Sequence, residues 1–276
     1  MITEVLINGA PSDGRIPVTD SSVLRGDGCF EVLASYGGRP FALEEHLGRL
    51  ERSALALGIE LPPKSEMAGW IEKAASDVGD GYVRIVVTRG SGVPGLDDPS
   101  SVIVFAHTSE RSRQPARLLP VEAPWHAAGV DWDLAGAKIL SYAPNLAATR
   151  RARAEGFEDA LLLTTGDVVL EGPTFSIGWV VDGALETPGL DLGILESITR
   201  RVVLEIASGL GIPVVEGRWE LSRLDEASEV AAWSTVREVQ PVAAIGERTW
   251  EPGRVTQRLS QEFADRIRGH MGTAPH

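Results

Sequence analysis

The chain has 276 residues with 43% hydrophobic and 24% charged side chains, which suits one large globular domain or two smaller ones. Its formal net charge of −13 argues against nucleic acid or an anionic membrane surface as the main partner. The single cysteine, Cys29, excludes an intrachain disulfide. The five histidines lack the spacing of metal ligands, which argues against a metal site. The absence of a leader or a membrane-length apolar segment predicts a cytoplasmic protein.

The first part of the chain alternates strands with turns and contains two helical patterns. A short apolar strand followed by Asn8-Gly9 is typical of a tight hairpin turn. Apolar residues from Leu43 to Leu57 repeat at helical spacing, and Gly58 ends the pattern. The other predicted elements of this α+β unit are strands at 5–7, 29–35, 82–88 and 102–107, a return strand from Pro40, and a helix at 65–76.

A polar stretch at 109–117 is predicted to link two domains. It separates an N-terminal α+β domain at 1–108 from a C-terminal α/β domain at 118–276. In the second domain we predict strands at 130–134, 160–164, 168–170, 177–181, 214–219 and 230–233, and helices at 145–155, 198–208 and 256–268.

Lys138 is the most informative residue, because the chain has only three lysines and the other two lie in a helical, charge-rich segment. It follows the alternating run at 130–135 and precedes a predicted helix. A lysine held at such a junction can lose its proton and attack a carbonyl carbon, whereas an ordinary lysine at a strand end is the alternative. Tyr142 lies four residues further on, where its phenol could bond a cofactor ring or simply pack.

A carboxylate and two groups of anion donors follow Lys138 in the sequence. Glu171 ends an apolar run and could pair with a ring nitrogen, although a glutamate facing solvent in a turn is the commoner case. The free N–H groups and dipole of a helix start favour a phosphate, whereas a serine there could be only an N-cap. An amine, a carboxylate and anion donors are the parts needed to hold pyridoxal phosphate. The anion donors are Ser197, Ile198 and Thr199 at the start of the helix predicted at 198–208, and Ser234 and Thr235 after the strand predicted at 230–233.

Three arginines lie where either a surface role or a binding role is open. Arg49 lies four residues after Glu45, so an exposed ion pair along the helix is the default, and a turn toward a phosphate is the functional alternative. Arg25 and Arg89 lie at strand–loop edges, where either could bind a substrate carboxylate or remain a surface side chain.

Taken together and in this order, these segments resemble the fold-type IV pyridoxal-phosphate enzymes, the class IV aminotransferases. That family includes D-amino-acid and branched-chain aminotransferases, R-selective amine transaminases and aminodeoxychorismate lyases. The resemblance runs from R-G-D-G-C-F-E-V near the N-terminus to S-T-V-R-E-V-Q-P-V near the C-terminus. It implies two α+β domains with the cofactor in the interdomain cleft, and usually a homodimer.

The resemblance identifies Lys138 as the Schiff-base lysine and Glu171 as the partner of the pyridine nitrogen. Tyr142 matches the family's cofactor-contacting tyrosine if one deletion is allowed after Lys138. Two departures stand out: Ser176 lies where the family usually has asparagine, and the P-R-x-H carboxylate motif is absent after T-R-G. Arg49, Ile198, Thr199 and Thr235 match the family's phosphate ligands; we add Ser197 and Ser234 as cofactor contacts and Arg25, Phe30 and Arg89 as candidate substrate contacts.

We therefore expect a transaminase that uses pyridoxal 5'-phosphate and moves an amino group between a D-amino acid and a 2-oxo acid, with R-primary amines as a further substrate class. Aminodeoxychorismate lyase is the first alternative, because the motifs R-G-D-G-C-F and R-G-S-G somewhat favour that branch of the family. Branched-chain L-amino-acid transamination is the second alternative. A non-catalytic relative is disfavoured because both Lys138 and Glu171 are present.

Overall fold

The computed structural model describes residues 2–93, 99–108, 112 and 114–272. The chain divides into two compact units. Unit 1 comprises Met1–Glu110, Ala137–Tyr142 and Ile267–His276, and unit 2 comprises Arg111–Gly136 and Ala143–Arg266. Part of the predicted linker, residues 109–111 and 113, lies outside the described residues, so the linker stays a prediction. No helix in the described ranges is both long and apolar enough to cross a membrane.

Unit 1 is built on an antiparallel sheet with strand order β2-β1-β6-β5-β3-β4 in the described part of the chain. The predicted hairpin turn is confirmed: Asn8 and Gly9 both have positive φ, 49° and 78°, which this tight turn requires. The elements are β1 Val5–Ile7, β2 Ala10–Ser12, α1 Ser21–Arg25, β3 Gly28–Tyr36, β4 Arg39–Pro40, α2 Leu43–Leu57, α3 Lys64–Val78, β5 Gly81–Thr88 and β6 Ser101–His107.

The core of unit 1 lies between one face of this sheet and helices α2 and α3. Alternation along β3 and β5 turns Leu33 and Ile85 toward the helices, where both are fully buried. Helix α2 has the predicted bounds and ends at Gly58, whose φ of 64° closes the last turn. Both ends of the helix predicted from its apolar periodicity, Leu43 and Leu57, are therefore confirmed.

Unit 2 contains a larger mixed sheet with strand order β11-β10-β9-β12-β13-β7-β8 among the described residues, and β14 pairs with β13. Strands β13, β7 and β8 run parallel to one another, and helix α4 packs against β8 and β7. The elements are β7 Ala116–Glu122, α4 Ala143–Ala154, β8 Asp159–Leu163, β9 Ser176–Val181, β10 Ala184–Pro188, α5 Ile198–Gly209, β11 Val214–Gly217, β12 Glu229–Ser234, β13 Glu238–Ile245, β14 Arg248–Thr249 and α6 Arg254–Gly272, with short 3-10 helices at Leu190–Leu192 and Leu221–Glu226. The last turns of α6, from Ile267, belong to unit 1.

Two predicted strands are wrong. Residues 130–134 form a bend, irregular backbone and a turn, and two of their apolar side chains are exposed, Val130 by 62% and Trp132 by 48%. Alternation alone suggested a strand there, but no neighbouring strand pairs with this segment. Residues 168–170 make only isolated bridges, Leu163 to Val169 and Val168 to Glu220. Lys138 therefore does not follow a strand, and its position depends on other contacts.

Candidate active site

The segment around Lys138 belongs to unit 1 and docks on the free edge of β3. Strand β4 pairs only with the far end of β3, so the edge at Gly28–Phe30 is open to another segment. Lys138 and Leu140 use it: the Phe30 N–H donates to the Lys138 carbonyl at 3.0 Å, and the Leu140 N–H donates to the Gly28 carbonyl at 2.8 Å. Backbone hydrogen bonds from a rigid strand thus fix the lysine.

Two aromatic rings surround the Lys138 amine. Its Nζ lies 4.5 Å from the centroid of the Phe30 ring and 5.7 Å from that of Tyr142. The two rings meet edge to face, with centroids 5.3 Å apart. A cation over aromatic faces is favourable, and the rings also shield the amine from part of the solvent. Lys138, Phe30 and Tyr142, three of the residues that the sequence predicts for the site, therefore lie together.

Arg49 is not the exposed side chain that its place in the helix suggested. The residue is 5% exposed and forms a two-point ion pair with Glu31, Nε to Oε1 at 2.6 Å and Nη2 to Oε2 at 2.8 Å. His46 Nδ1 lies 2.8 Å from the same Oε2. Glu31 and His46 were missed by sequence reasoning. The available signal was an acidic residue at an inward position of β3, between Cys29 and Leu33.

The charges in this cluster set one another's pKa. Burial alone raises the pKa of Glu31, but the charge and hydrogen bonds of Arg49, together with the hydrogen bond from His46, outweigh burial and hold that pKa well below its usual range. Burial lowers the pKa of His46, and the attraction of Glu31 only partly opposes this. His46 is therefore neutral near pH 7, with the proton on Nδ1, since an ionised carboxylate can only accept.

The two candidate substrate arginines differ in how they are held. The Arg89 guanidinium pairs with Asp27 through Nε at 2.5 Å and donates to the Leu57 carbonyl at 2.6 Å and the Gly58 carbonyl at 3.3 Å. Arg25 is exposed and donates from Nη1 to the Gly92 carbonyl at 3.0 Å. Arg89 thus joins the end of α2 to the loop before β3, whereas Arg25 faces solvent.

In unit 2, Glu171 lies in the segment between β8 and β9, and its carboxylate contacts the loop that leads into α5. Its Oε1 accepts from the Leu195 N–H at 3.1 Å, and its own carbonyl accepts from the Leu162 N–H of β8 at 2.9 Å. Gly172 follows because a Cβ there would lie 2.1 Å from the Phe175 ring. The carboxylate is therefore held between a core strand and the start of a helix.

The predicted anion donors of unit 2 lie at two element ends. Ser197 is the N-cap of α5, and its Oγ accepts from the Arg200 N–H at 3.2 Å. Ile198 and Thr199 are then the buried first-turn residues, whose amides have no preceding helical carbonyl to bond. Ser234 and Thr235 lie at the tight turn between β12 and β13, where the Ser234 Oγ accepts from an N–H three residues on.

Arg237, also missed from sequence, braces that turn. It pairs with Glu158 at 2.6 Å and Asp159 at 3.0 Å, and its guanidinium lies 4.4 Å over the Phe175 ring. Arg237, whose backbone N–H donates to the Ser234 Oγ, is thus anchored to Asp159 of β8 and to the loop after Glu171. No sequence spacing signals this, because its carboxylate partners are 79 and 78 residues away.

The donor set fits pyridoxal phosphate chemically. In unit 2, helix-start amides and hydroxyls suit a phosphate, and a carboxylate suits a protonated ring nitrogen. Two register partners on β9 and β12, Ser176 and Trp233, carry buried Oγ and Nε1 atoms that lack a hydrogen-bond partner among the described residues. Such unpaired atoms are rare in folded proteins, and a polar ligand or water is one way to satisfy them.

Comparison with known proteins places the chain in a family. The family model for amino-transferase class IV matches residues 28–245. D-alanine aminotransferase of Listeria monocytogenes is 30% identical, covering 96% of each chain, and aminodeoxychorismate lyase of Bacillus subtilis is 27% identical, covering 96% of this chain and 94% of the relative.

Solved structures agree with this match. A fold IV transaminase from Curtobacterium pusillum superposes with a TM-score of 0.86 at 30% identity, covering 95% of this chain and 93% of that one. The branched-chain aminotransferase of Thermoproteus uzoniensis, solved with norvaline, gives a TM-score of 0.88 at 28% identity, with 99% and 97% coverage. The chain therefore belongs to the class IV aminotransferase family and has the fold-type IV architecture, as the sequence patterns indicated.

Proposed function

We propose that this class IV aminotransferase moves an amino group between a D-amino acid and a 2-oxo acid, with pyridoxal 5'-phosphate as cofactor and R-primary amines as a further substrate class. The observation that carries the proposal is the Lys138 amine, fixed by backbone bonds to β3 and flanked by Phe30 and Tyr142. The similarity to a D-alanine aminotransferase supports this substrate class, and the similarity to a branched-chain aminotransferase supports branched-chain amino acids as the alternative.

The cofactor supplies an electron-withdrawing ring that stabilises negative charge at the substrate Cα. Lys138 Nζ would take the proton from the substrate Cα and deliver it to C4′ of the cofactor, acting as the base that moves the proton between the two positions. Glu171 would hold the ring nitrogen in its protonated form. Arg49, the first-turn amides of Ile198 and Thr199, and the hydroxyls of Ser197, Ser234 and Thr235 would bind the phosphate.

Arg25 is the better candidate for the substrate carboxylate, because its guanidinium is exposed while that of Arg89 pairs with Asp27. Arg25→Ala should raise KM for amino acids more than for amines that lack a carboxylate. An equal rise for both substrate classes would show that Arg25 does not bind the carboxylate.

The experiment that tests the function is a half-reaction. The protein loaded with pyridoxal phosphate is mixed with D-alanine without a 2-oxo acid, and its absorption spectrum is followed. Conversion of the pyridoxal band to the pyridoxamine band supports the proposal, and L-alanine serves as the stereochemical control. Lys138→Ala should keep the fold and lose turnover; normal turnover in that variant would contradict the role of Lys138.

A second candidate is aminodeoxychorismate lyase, favoured by the Bacillus subtilis relative. A lyase needs the same lysine and ring sink but no amine acceptor. If D-alanine leaves the spectrum unchanged, L-branched-chain amino acids are tested next. Release of 4-aminobenzoate and pyruvate from aminodeoxychorismate, without any amino acceptor, would then assign the lyase activity.

We also propose a cytoplasmic homodimer. Val32, Val86, Ile103 and Phe105 lie on the face of the unit 1 sheet opposite its helices, and each is only half-buried. Apolar side chains of this kind on one sheet face suit a second copy of the chain. A measured solution mass equal to a single chain would contradict the dimer.

A further inference from the structure

Glu31, His46 and Arg49 form a polar cluster inside the apolar core of unit 1. Each is at most 5% exposed, and the neighbouring inward residues of β3, Cys29 and Leu33, are fully buried and apolar. Burying an ion pair costs solvation free energy that its attraction only partly offsets, and apolar residues of similar size often give an equally stable core. Stability alone therefore does not explain the cluster.

The geometry of the cluster fixes one guanidinium plane. Two parallel bonds from Arg49 to the two oxygens of Glu31, 2.6 and 2.8 Å long, leave the guanidinium little freedom to rotate. His46 bonds one of those oxygens at 2.8 Å and so holds the carboxylate as well. A pair of this kind selects arginine over lysine, because an ammonium has no plane to orient.

The same helix contacts the segment that carries the reactive amine. One turn after Arg49, the Ser53 Oγ donates to the Arg49 carbonyl at 3.0 Å and accepts the Lys138 N–H at 3.0 Å. The stretch of α2 that carries the arginine is thus tied directly to the backbone of Lys138.

We propose that Glu31 is a positioning residue: it orients Arg49 to bind the cofactor phosphate, and His46 holds Glu31 in place. The inference deepens the proposed function, because it rests on the phosphate role of Arg49. In this role Glu31 acts through its bonds to Arg49 and makes no contact of its own with the cofactor. Its effect should therefore appear in the recognition of the phosphate and not in the recognition of the rest of the cofactor.

The test compares two ligands that differ only in the phosphate. Dissociation constants of pyridoxal phosphate and of pyridoxal are measured by tryptophan fluorescence for the wild type and Glu31→Gln. Glutamine keeps the size of the side chain but removes the charge that orients the guanidinium. Loss of a charge-assisted bond predicts about a tenfold or greater loss of affinity for pyridoxal phosphate, with pyridoxal binding near the wild-type value.

Two reference variants frame the result. Arg49→Gln removes the proposed phosphate ligand itself and should lose the preference for pyridoxal phosphate. Glu186→Gln is the matched control: Glu186 is 4% exposed and forms a similar two-point pair with Arg223, at 2.7 and 3.0 Å, in unit 2. It should lower stability without changing the ratio of the two dissociation constants.

Each outcome separates the inference from its premise. In Glu31→Gln, an unchanged ratio of the two dissociation constants would overturn the positioning role, whether neither constant changes or both rise equally. An unchanged ratio in Arg49→Gln would refute the phosphate role assigned under the proposed function, and the inference would fall with it. If Glu31→Gln does not fold, His46→Gln decides in the same assay: a rise in the Kd of pyridoxal phosphate relative to that of pyridoxal supports the inference, and an unchanged ratio contradicts it.

Discussion

Ser53→Ala tests whether helix α2 positions the reactive amine. The Ser53 Oγ is buried, accepts the Lys138 N–H and donates to the Arg49 carbonyl, both at 3.0 Å. Alanine removes both bonds and leaves the Lys138 donor without its partner. Leaving a buried donor unpaired costs about 1–3 kcal/mol, and since Lys138 is only half-buried we expect about 1–2 kcal/mol of lost unfolding free energy.

The matched control is Ser35→Ala. Ser35 is fully buried in the same unit, and its Oγ donates to the Gly79 carbonyl at 2.7 Å and the Ala75 carbonyl at 3.3 Å. Both variants should lose similar stability in urea unfolding. Only Ser53→Ala should also slow the covalent attachment of pyridoxal phosphate to Lys138, followed by borohydride trapping and peptide mapping.

Two results would refute this reasoning. If both variants slow attachment equally, the effect follows from general destabilisation of unit 1. If Ser53→Ala attaches pyridoxal phosphate at the wild-type rate while losing stability, then the Ser53 bond contributes to folding but does not position Lys138.

Three further predictions concern pH, a helix cap and the site turn. Folding lowers the pKa of His46 from its ordinary 6.5, so the unfolded state binds the proton more readily. The unfolding free energy should therefore fall as pH drops below about 6.5. His46→Gln should flatten that part of a series of urea unfolding curves measured at different pH. Gly253→Ala should lower the unfolding free energy by about 1–2 kcal/mol, because a Cβ there would lie 1.9 Å from the Glu229 carboxyl that caps α6. Gly269→Ala within α6 is the control: nothing lies within 4 Å of its Cβ position, so calorimetry should show a neutral or stabilising effect. Arg237→Gln should weaken pyridoxal phosphate binding and lower the melting temperature, and unchanged values of both would show that the turn at Ser234 needs no brace.

Local pattern was enough for part of this protein. The sequence determined the α+β class, the bounds of α2 and the hairpin turn at Asn8-Gly9, because helical spacing and positive-φ turn residues act over a few positions. Scarcity and position singled out Lys138, and the order of motifs led to the family. These features depend on residues near one another in the chain.

Tertiary structure decided the rest. Arg49 looked exposed because its helical neighbour Glu45 was the partner visible in sequence, yet it pairs with Glu31, 18 residues away on a strand. The segment at 130–134 alternates like a strand but forms a bend, irregular backbone and a turn, because a strand forms only where another strand completes its hydrogen bonds. Lys138 is likewise placed by an open strand edge and by Ser53, 85 residues earlier. Contacts of that separation depend on which surfaces the folded chain brings together, and local spacing contains no record of them.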